Sequence, residues 1–307
     1  MTLYTQRSQN IFKTWLLMAT FFGIVIAIGW GFSYAYNDPA ILYLAVFISI
    51  FMNIISYWFS DKIALALHRA KPVDLKTSPE LYRILENLTI TAGLPMPKLY
   101  LIDDPAPNAF ATGRNPKHAV VAVTTGLLER LERSELEGVL AHELSHIGNR
   151  DMLISTVAVV LVGFTSILSD MFMRSMWFGG LSDDRDRKGN AIILVIGLAL
   201  SILAPVMASL IHMAISRRRE FLADTSGALL TRYPEGLASA LKKISSYSRP
   251  MQTATNATAH LFLESPFGAD RKANKKTPWL VKIFSTHPPI EERIALLEGL
   301  RINRPAA

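Results

Sequence analysis

Four long apolar runs dominate the chain, and polar sequence separates each run from the next. The first pair, 14–34 and 40–59, contains no charged residue and is joined by a short turn. The second pair, 152–171 and 191–215, carries one acidic residue near the end of its first run. An α-helix needs about 20 apolar residues to cross a bilayer. The pattern therefore predicts four transmembrane helices, arranged as two hairpins.

Each pair of runs has an alternative interpretation. The first run could belong to a cleaved signal peptide, although the apolar region of a signal peptide usually has only about 7–15 residues. The second pair could be a buried helical hairpin of a soluble domain. The length of its runs, and the basic cluster Arg217–Arg219 that closes the fourth run, favour membrane spans.

Basic residues indicate which way the hairpins face. Lysines and arginines follow the second run between 62 and 71, whereas the turn between the first two runs carries only Asp38. Membrane-protein loops rich in Lys and Arg stay on the cytoplasmic side. We therefore predict that the N-terminus and the segment after Phe59 face the cytoplasm. Two further spans return the chain to the same side, so the C-terminus is predicted to be cytoplasmic as well.

The remaining sequence has the composition of a soluble domain that the second hairpin divides. Apolar stripes at helical spacing predict helices from Pro79 to Gly93, from Gly236 to Tyr247, and after His287. The predicted strands are 98–102, 108–112 and 118–124. The predicted units are hairpins at 1–60 and 152–216 and soluble parts at 61–151 and 217–307. The fold class is therefore mainly α with a small β-sheet, in a polytopic membrane protein with a cytoplasmic domain.

Composition excludes several kinds of site. The 307 residues include no cysteine, which excludes disulfides, thiolate zinc sites and cysteine nucleophiles, and agrees with a reducing compartment. Half of the residues are hydrophobic, and the mean hydropathy is +0.26. The net charge is +7. The basic residues are spread along the chain and lie beside apolar runs, which favours membrane topology over nucleic-acid binding.

One polar stretch carries the pattern H-E-x-x-H. His142 and His146 are four residues apart, so on a helix they share a face and can bind one metal ion. Glu143 lies beside them and can take a proton from the attacking water. Ser134 and Glu137 match a capping box for the start of this helix, and Gly148 offers a stop. The alternative is an ordinary amphipathic helix with two surface histidines.

A third metal ligand is expected after the fourth apolar run. Glu220 and Asp224 are four apart, so Glu220 can bind the metal while Asp224 hydrogen-bonds the far nitrogen of a metal-bound histidine. His146 precedes the third run and Glu220 follows the fourth. Two spans would return the chain to the same membrane face, where the halves of the site can meet. The alternative is a surface pair of acids that offsets Arg217–Arg219.

The tail supplies two further candidates. His287 precedes two prolines at the start of the last predicted helix, and Arg293 lies one turn inside it. Either side chain could hydrogen-bond the oxyanion of a tetrahedral intermediate. The alternative for this stretch is a helix-capping turn with a surface histidine.

Together these stretches resemble a known family. H-E-L-S-H-I-G-N-R-D, R-R-R-E-F-L-A-D and S-T-H-P-P-I-E-E-R, with the apolar hairpins before and between them, are similar to the HtpX family of bacterial membrane-bound zinc proteases. That family is grouped with the gluzincins, which also include the CAAX-prenyl endopeptidases. The resemblance covers nearly the whole chain. It implies a zincin-like metallopeptidase domain and a zinc-dependent endopeptidase of the inner membrane that removes misfolded membrane proteins under stress.

The resemblance also implies roles for individual residues. His142, His146 and Glu220 would bind one Zn²⁺ per chain, with Glu143 as general base. Asp224 matches the family's aspartate, and the family's tail histidine and arginine match His287 and Arg293 as transition-state stabilisers. An N-A-F-A-T stretch is taken to be the edge strand that pairs with the substrate, and it consists of Asn108, Ala109, Phe110, Ala111 and Thr112. The implied partners are unfolded or misfolded membrane proteins and the lipid bilayer, with no nucleic acid.

Two other functions compete with this one. A membrane chaperone or scaffold could hold a structural zinc, but such a site normally has four protein ligands, and the candidates here number three. A transporter with a cytoplasmic domain would be supported by ionisable residues inside the spans. The four apolar runs hold almost none.

Overall fold

A computed structural model describes residues 3–161, 163–164, 217–253, 255, 258–267 and 288–300. The chain opens with a helical hairpin of α1, Leu3–Tyr36, and α2, Pro39–Leu67. Asp38 caps α2, since its carboxylate accepts a hydrogen bond from the backbone N–H of Ala40 at 2.9 Å. Both helices extend beyond the predicted apolar runs, and the extensions include buried residues, namely Asn10 in α1 and Ser60, Ala64 and Leu65 in α2.

The hairpin has the length and the surface of a membrane segment. The spans Ser8–Tyr34 and Pro39–Leu67 are long and apolar enough to cross a bilayer. Much of their surface is apolar and exposed, as lipid contact requires. The exposed large side chains on the two helices include Phe12, Trp15, Trp30, Tyr43, Phe47, Phe51, Ile54 and Trp58.

The soluble part contains a four-stranded mixed sheet in the order β1-β2-β4-β3. Its strands are β1, Lys71–Val73; β2, Lys98–Ile102; β3, Ala109–Gly113; and β4, Ala119–Thr124. β2 and β4 are parallel, and the outer strands β1 and β3 pair antiparallel to them. The three predicted strands are confirmed to within one residue. β3 forms one edge of the sheet, with Gly113 at φ 134° where it turns towards β4.

Helices cover this sheet and enclose the main core. They are α3, Pro79–Ala92; α4, Thr125–Arg130; α5, Arg133–Asn149; α6, described over Asp151–Leu161; α7, Arg217–Thr231; α8, Pro234–Ser245; and α9, Ile290–Gly299. The core lies between α5 and its neighbours, and includes Leu85, Val121, Leu140, Leu144 and Leu241. The predicted mainly helical fold with a small sheet is confirmed.

The start and the end of α5 differ from the prediction. The capping box forms at Glu132 and Glu135 rather than at Ser134 and Glu137, with the Glu132 backbone N–H donating to Glu135 Oε2 at 2.8 Å. The helix also continues past Gly148 to Asn149, and the C-cap residue Arg150 adopts the left-handed conformation at φ 58°. Both predictions were wrong. At the start of the helix, contacts between Glu135 and α8 select the earlier of two overlapping capping patterns.

The hairpin is attached to the soluble part at two places. One buried face of α1 packs on α6 in a cluster of Leu17, Met18, Phe21, Leu153, Ile154, Val157, Ala158 and Leu161. The end of α2 packs beneath the sheet, where His68 contacts the rings of Phe110 and Phe262 at 5.7 and 4.9 Å between centroids. Burial lowers the pKa of His68 to about 4, so this anchor is uncharged.

The predicted second hairpin lies mostly outside the described residues. Of the third run, 152–161 and 163–164 are described, and the fourth run, 191–215, is not. His287 lies outside them as well. The division into four transmembrane helices and two soluble parts therefore stays a prediction.

Candidate active site

α5 presents His142 and His146 on one face, as the four-residue spacing predicts. Their Nε2 atoms are 3.1 Å apart. His142 is 1% exposed, so it is not a surface histidine. Both rings turn their Nε2 atoms to the same point. The alternative prediction, an ordinary amphipathic helix with two surface histidines, is therefore wrong.

α7 crosses α5 and brings Glu220 to the same point. Its carboxylate oxygens lie 3.8 Å from His142 Nε2 and 3.7 Å from His146 Nε2. The three ligand atoms are all within 4.8 Å of one another. Four-coordinate zinc holds N and O ligands at about 2.0–2.2 Å, which places neighbouring ligand atoms a little over 3 Å apart. The three side chains could therefore hold one metal ion with small movements of Glu220.

A glycine permits this close crossing of the two helices. Gly227 lies seven residues after Glu220, on the same face of α7. A Cβ atom at this position would lie 2.9 Å from the backbone N of His142, which is closer than real Cβ atoms approach backbone. The absence of a side chain at Gly227 therefore sets the distance between the third candidate ligand and the first.

Asp224 lies behind His142. Its Oδ1 is 2.9 Å from His142 Nδ1, and its side chain is fully buried. Burial alone would raise the pKa of Asp224, but the charge and hydrogen bonds of Arg293 outweigh it and hold the pKa below its ordinary value. The ionised carboxylate therefore favours the His142 tautomer that carries its proton on Nδ1 and offers Nε2 to a metal.

Asp151 has the corresponding position behind His146. Its Oδ2 is 3.1 Å from His146 Nδ1. Burial would lower the pKa of His146, but the hydrogen bond to Asp151 and the charge of Glu220 raise it to about 9. A metal ion that binds Nε2 must therefore displace a proton from this imidazole. Asp151 was not among the predicted site residues, although a carboxylate five residues after the second histidine, just before an apolar run, was a usable signal.

Arg293 is fully buried and points at Asp224. Its Nε and Nη2 donate to the two oxygens of Asp224 at 2.8 and 2.7 Å, and its Nη1 donates to the backbone carbonyl of Leu263 at 2.9 Å. Nη1 also lies 3.8 Å from Glu220 Oε2. The guanidinium is therefore directed at the groups behind His142. The oxyanion role that the family resemblance implies for Arg293 and His287 stays a prediction.

A cavity of about 40 Å³ opens at the two histidines, beside Glu143 and Glu220. A water needs roughly 10–15 Å³ of such space, so the cavity has room for an ion and one or two waters. Its other walls include Ala111 of β3, Arg219 and His260. Arg219 and His260, which are 8% and 5% exposed, were not among the predicted site residues.

Glu143 is enclosed beside the two histidines. It is 2% exposed and lines the cavity. Burial raises the pKa of Glu143 above its ordinary value, although the nearby histidines lower it in part. A raised pKa favours uptake of the proton that a general base must accept and then release within one reaction cycle.

Comparison with known proteins agrees with this geometry. A model described as peptidase family M48 matches residues 75–301. A protein named "Protease HtpX homolog" from Caldanaerobacter subterraneus subsp. tengcongensis is 48% identical over 306 residues, which cover 98% of this chain and 99% of the relative. A protein of the same name from Pyrococcus furiosus is 47% identical over 291 residues, which cover 94% of this chain and 95% of the relative.

The chain belongs to the HtpX proteases of peptidase family M48. It is therefore a metalloprotease, and its two long apolar helices indicate a membrane protein. The crystal structure of S. mikatae Ste24p matches with a TM-score of 0.51 over 96% of this chain and 67% of that one. At 18% identity, this likeness shows that the HtpX chain shares its fold with a larger protein.

Proposed function

We propose that this HtpX protease is a zinc-dependent endopeptidase that hydrolyses peptide bonds in misfolded or damaged membrane proteins on the cytoplasmic side of the inner membrane. The observation that carries the proposal is the convergence of His142, His146 and Glu220, whose ligand atoms lie within 4.8 Å of one another beside the buried Glu143. A metal site with an adjacent general base is the arrangement that metal-assisted hydrolysis requires.

Zinc is the metal that best suits these side chains. Two imidazoles and one carboxylate form a common donor set of catalytic zinc sites, which keep a fourth position for water or substrate. Structural zinc sites are normally closed by four protein ligands. Within the described residues, the cluster that could hold a metal offers three. This difference favours an enzyme over a zinc-binding membrane chaperone or scaffold, which is the alternative function.

Each side chain has a definite part in the proposed reaction. A bound zinc ion would lower the pKa of water and polarise the scissile carbonyl. Glu143 takes the proton from the attacking water and later delivers it to the leaving amine. Asp224 and Asp151 hold the two histidines with their protonated Nδ1 atoms turned away from the cavity.

We place the substrate along the β3 edge, next to Ala111. The backbone carbonyl of Ala109 already accepts a hydrogen bond from the N–H of Leu263 at 3.0 Å, and Asn108 bonds to the backbone of Glu264. In an antiparallel strand, residues two apart point their backbone N–H and C=O groups to the same side. The N–H and C=O groups of Ala111 therefore point to the same side as those of Ala109, away from β4, and Ala111 lines the cavity. An extended peptide bound there is recognised through its backbone, which favours unfolded segments of little sequence preference.

The membrane hairpin supports the proposed substrate class. The site lies in the soluble part that α1 and α2 join, so cytoplasmic loops and tails of membrane proteins are the segments that can reach it. The positive-inside pattern of the sequence supports the cytoplasmic orientation of the site.

Metal removal tests the proposal. Protein purified in detergent is treated with a zinc chelator and offered an unfolded protein and a liposome-embedded protein with an unfolded tail. We expect cleavage of both to stop and to return when about one zinc ion per chain is restored. Cleavage that continues in fully zinc-depleted protein would contradict a zinc-dependent reaction.

A further inference from the structure

The first membrane helix reaches the candidate metal site through one buried side chain. Asn10 lies near the start of α1, inside the apolar span Ser8–Tyr34, and is 3% exposed. Its amide Nδ2 donates to the backbone carbonyl of Asn149 at 3.1 Å and to Oδ1 of Asp151. Since both partners are acceptors, the nitrogen of the amide must face them. The side chain therefore contacts the end of α5 and the first residue of α6 together.

Asp151 connects this contact to a candidate ligand. One oxygen of its carboxylate accepts from Asn10, and the other lies 3.1 Å from Nδ1 of His146. A continuous chain of polar contacts therefore runs from α1 through Asp151 to the imidazole that faces the cavity. Fixing one oxygen of a carboxylate restricts rotation of the whole group, so Asn10 also orients the oxygen that His146 uses.

The packing of α1 holds Asn10 in this position. Asn10, Thr14, Leu17 and Phe21 lie on one face of the helix, at spacings of four, three and four residues. The apolar members of this face pack on α6, which begins at Asp151. A buried amide is costly unless its hydrogen bonds are made. The buried amide of Asn10 is therefore stabilised by its two hydrogen bonds, to the Asn149 carbonyl and to the Asp151 carboxylate.

We propose that Asn10 is a positioning residue of the metal site, so that the first membrane helix contributes to metal affinity as well as to membrane attachment. This inference rests on the proposed function, in which His146 is a metal ligand. Asn10 contacts neither substrate nor metal. It orients the carboxylate of Asp151, and this carboxylate orients the imidazole of His146.

The test measures zinc affinity rather than activity. Full-length wild type and Asn10→Ala are purified in detergent and titrated with zinc against a chelator of known affinity. The absorption spectrum of the Co²⁺-loaded proteins reports on ligand geometry. Losing a carboxylate behind a metal ligand typically costs about 10–100-fold in affinity, so we expect Asp151→Asn to fall in that range and Asn10→Ala to cost about tenfold or less.

A double-mutant cycle tests the route through Asp151. If Asn10 acts through this carboxylate, Asn10→Ala should cost little zinc affinity in the Asp151→Asn background. Two matched controls remove other polar groups of the hairpin. Thr14→Val removes a buried hydroxyl that donates to the backbone carbonyl of Asn10 and leaves the Asn10 amide in place, and Asn53→Ala removes an asparagine that donates to the backbone of Ser49 in α2. Both controls should bind zinc as the wild type does.

Each outcome supports or overturns the inference. An unchanged zinc affinity in Asn10→Ala, an equal loss in Thr14→Val, or additive losses with Asp151→Asn would overturn it. If Asn10→Ala does not fold, Asn10→Gln should keep zinc, since it retains the donor, and Asn10→Asp should lose it, since it opposes a second carboxylate to Asp151. Equal affinities of these two variants would overturn the inference too. A wild type that binds no zinc would instead contradict the proposed function.

Discussion

Both histidines of the candidate metal site have a carboxylate at the ring nitrogen that faces away from the cavity. Asp224 lies 2.9 Å from His142 Nδ1, and Asp151 lies 3.1 Å from His146 Nδ1. Such partners fix the tautomer and the orientation of a metal-binding imidazole. The two carboxylates are themselves held by different parts of the fold, Asp224 by Arg293 and Asp151 by Asn10.

The role of Arg293 can be decided by replacing it with lysine. A lysine keeps the positive charge but cannot make the two-pronged contact with Asp224. If Arg293 positions Asp224, we expect Arg293→Lys to weaken zinc binding about 10–100-fold. Zinc affinity is measured by chelator competition, and cleavage is measured with zinc in excess. Unchanged zinc affinity together with a lower kcat would instead favour the oxyanion role.

At the residue scale, the sequence predicted the groups that share a helix face. Each predicted pair lies on one face of its helix, because side chains four residues apart point the same way once a helix forms. The pairs are His142 with His146 on α5, and Glu220 with Asp224 on α7. Asn10 could not be predicted in this way. It meets Asp151 across 141 positions of the chain, and only the packing of α1 on α6 brings the two together.

At the scale of elements, the site depends on how closely α7 lies on α5. We predict that Gly227→Ala weakens zinc binding, because the added methyl group would meet the His142 backbone at 2.9 Å and push Glu220 away. We expect a stability loss of about 1–3 kcal/mol as well, as for other overpacked sites. Zinc titration and thermal unfolding in detergent measure the two effects.

Gly138→Ala is the matched control for this prediction. A Cβ atom there would lie 2.8 Å from the backbone N of Leu237, so it would disturb the contact of α5 with α8 and not that with α7. This variant should lose stability to a similar degree and keep its zinc affinity. Equal zinc losses in the two variants would show that general loosening, rather than the position of α7, weakens the site.

The stability that the contact of α5 with α8 contributes should depend on pH. Burial alone would raise the pKa of Glu135, but hydrogen bonds from Lys243, Ser239 and a backbone N–H lower it. A lowered folded-state pKa gives stability that is present above the unfolded value near 4.5 and is lost as the pH falls through the folded value. We therefore expect the melting temperature of wild type to exceed that of Glu135→Gln at neutral pH.

The difference between these two melting temperatures should narrow as the pH falls below the unfolded value. A constant difference down to the lowest pH at which the fold persists would contradict the claim that the Glu135 carboxylate is ionised in the folded protein.

The contact of Glu135 with α8 also explains why the start of α5 was predicted wrongly. Ser239 and Lys243 of α8 hold Glu135 at 2.6 and 2.7 Å, whereas Glu137 instead pairs with the exposed Arg133 on the helix surface.

At the scale of the whole molecule, the apolar hairpin and the soluble part form one structure. α1 packs on α6, and α2 ends beneath the sheet against Phe110 and Phe262. Apolar run lengths predicted the hairpin, because the length and the apolar composition of a helix together decide whether it can span a bilayer. They could not predict these attachments, which depend on a few buried side chains at the helix ends.

The orientation of the hairpin can be tested with single cysteines, because the chain has none of its own. Ala40 lies at the exposed start of α2, and Lys117 is exposed in the turn between β3 and β4. The positive-inside pattern predicts that a membrane-impermeant thiol reagent labels Ala40→Cys in intact spheroplasts and labels Lys117→Cys only in inverted vesicles. The reverse labelling pattern would place the site outside the cytoplasm.

The most direct test of the central claim compares wild type with Glu143→Gln for zinc content and for cleavage of an unfolded protein such as casein. The variant keeps the shape of the side chain but cannot accept the proton. We predict that both proteins carry about one zinc ion per chain and that cleavage falls at least about a hundredfold in the variant. Equal cleavage by the two zinc-loaded proteins would show that Glu143 is not the general base, and zinc binding without cleavage by either protein would contradict a catalytic zinc site.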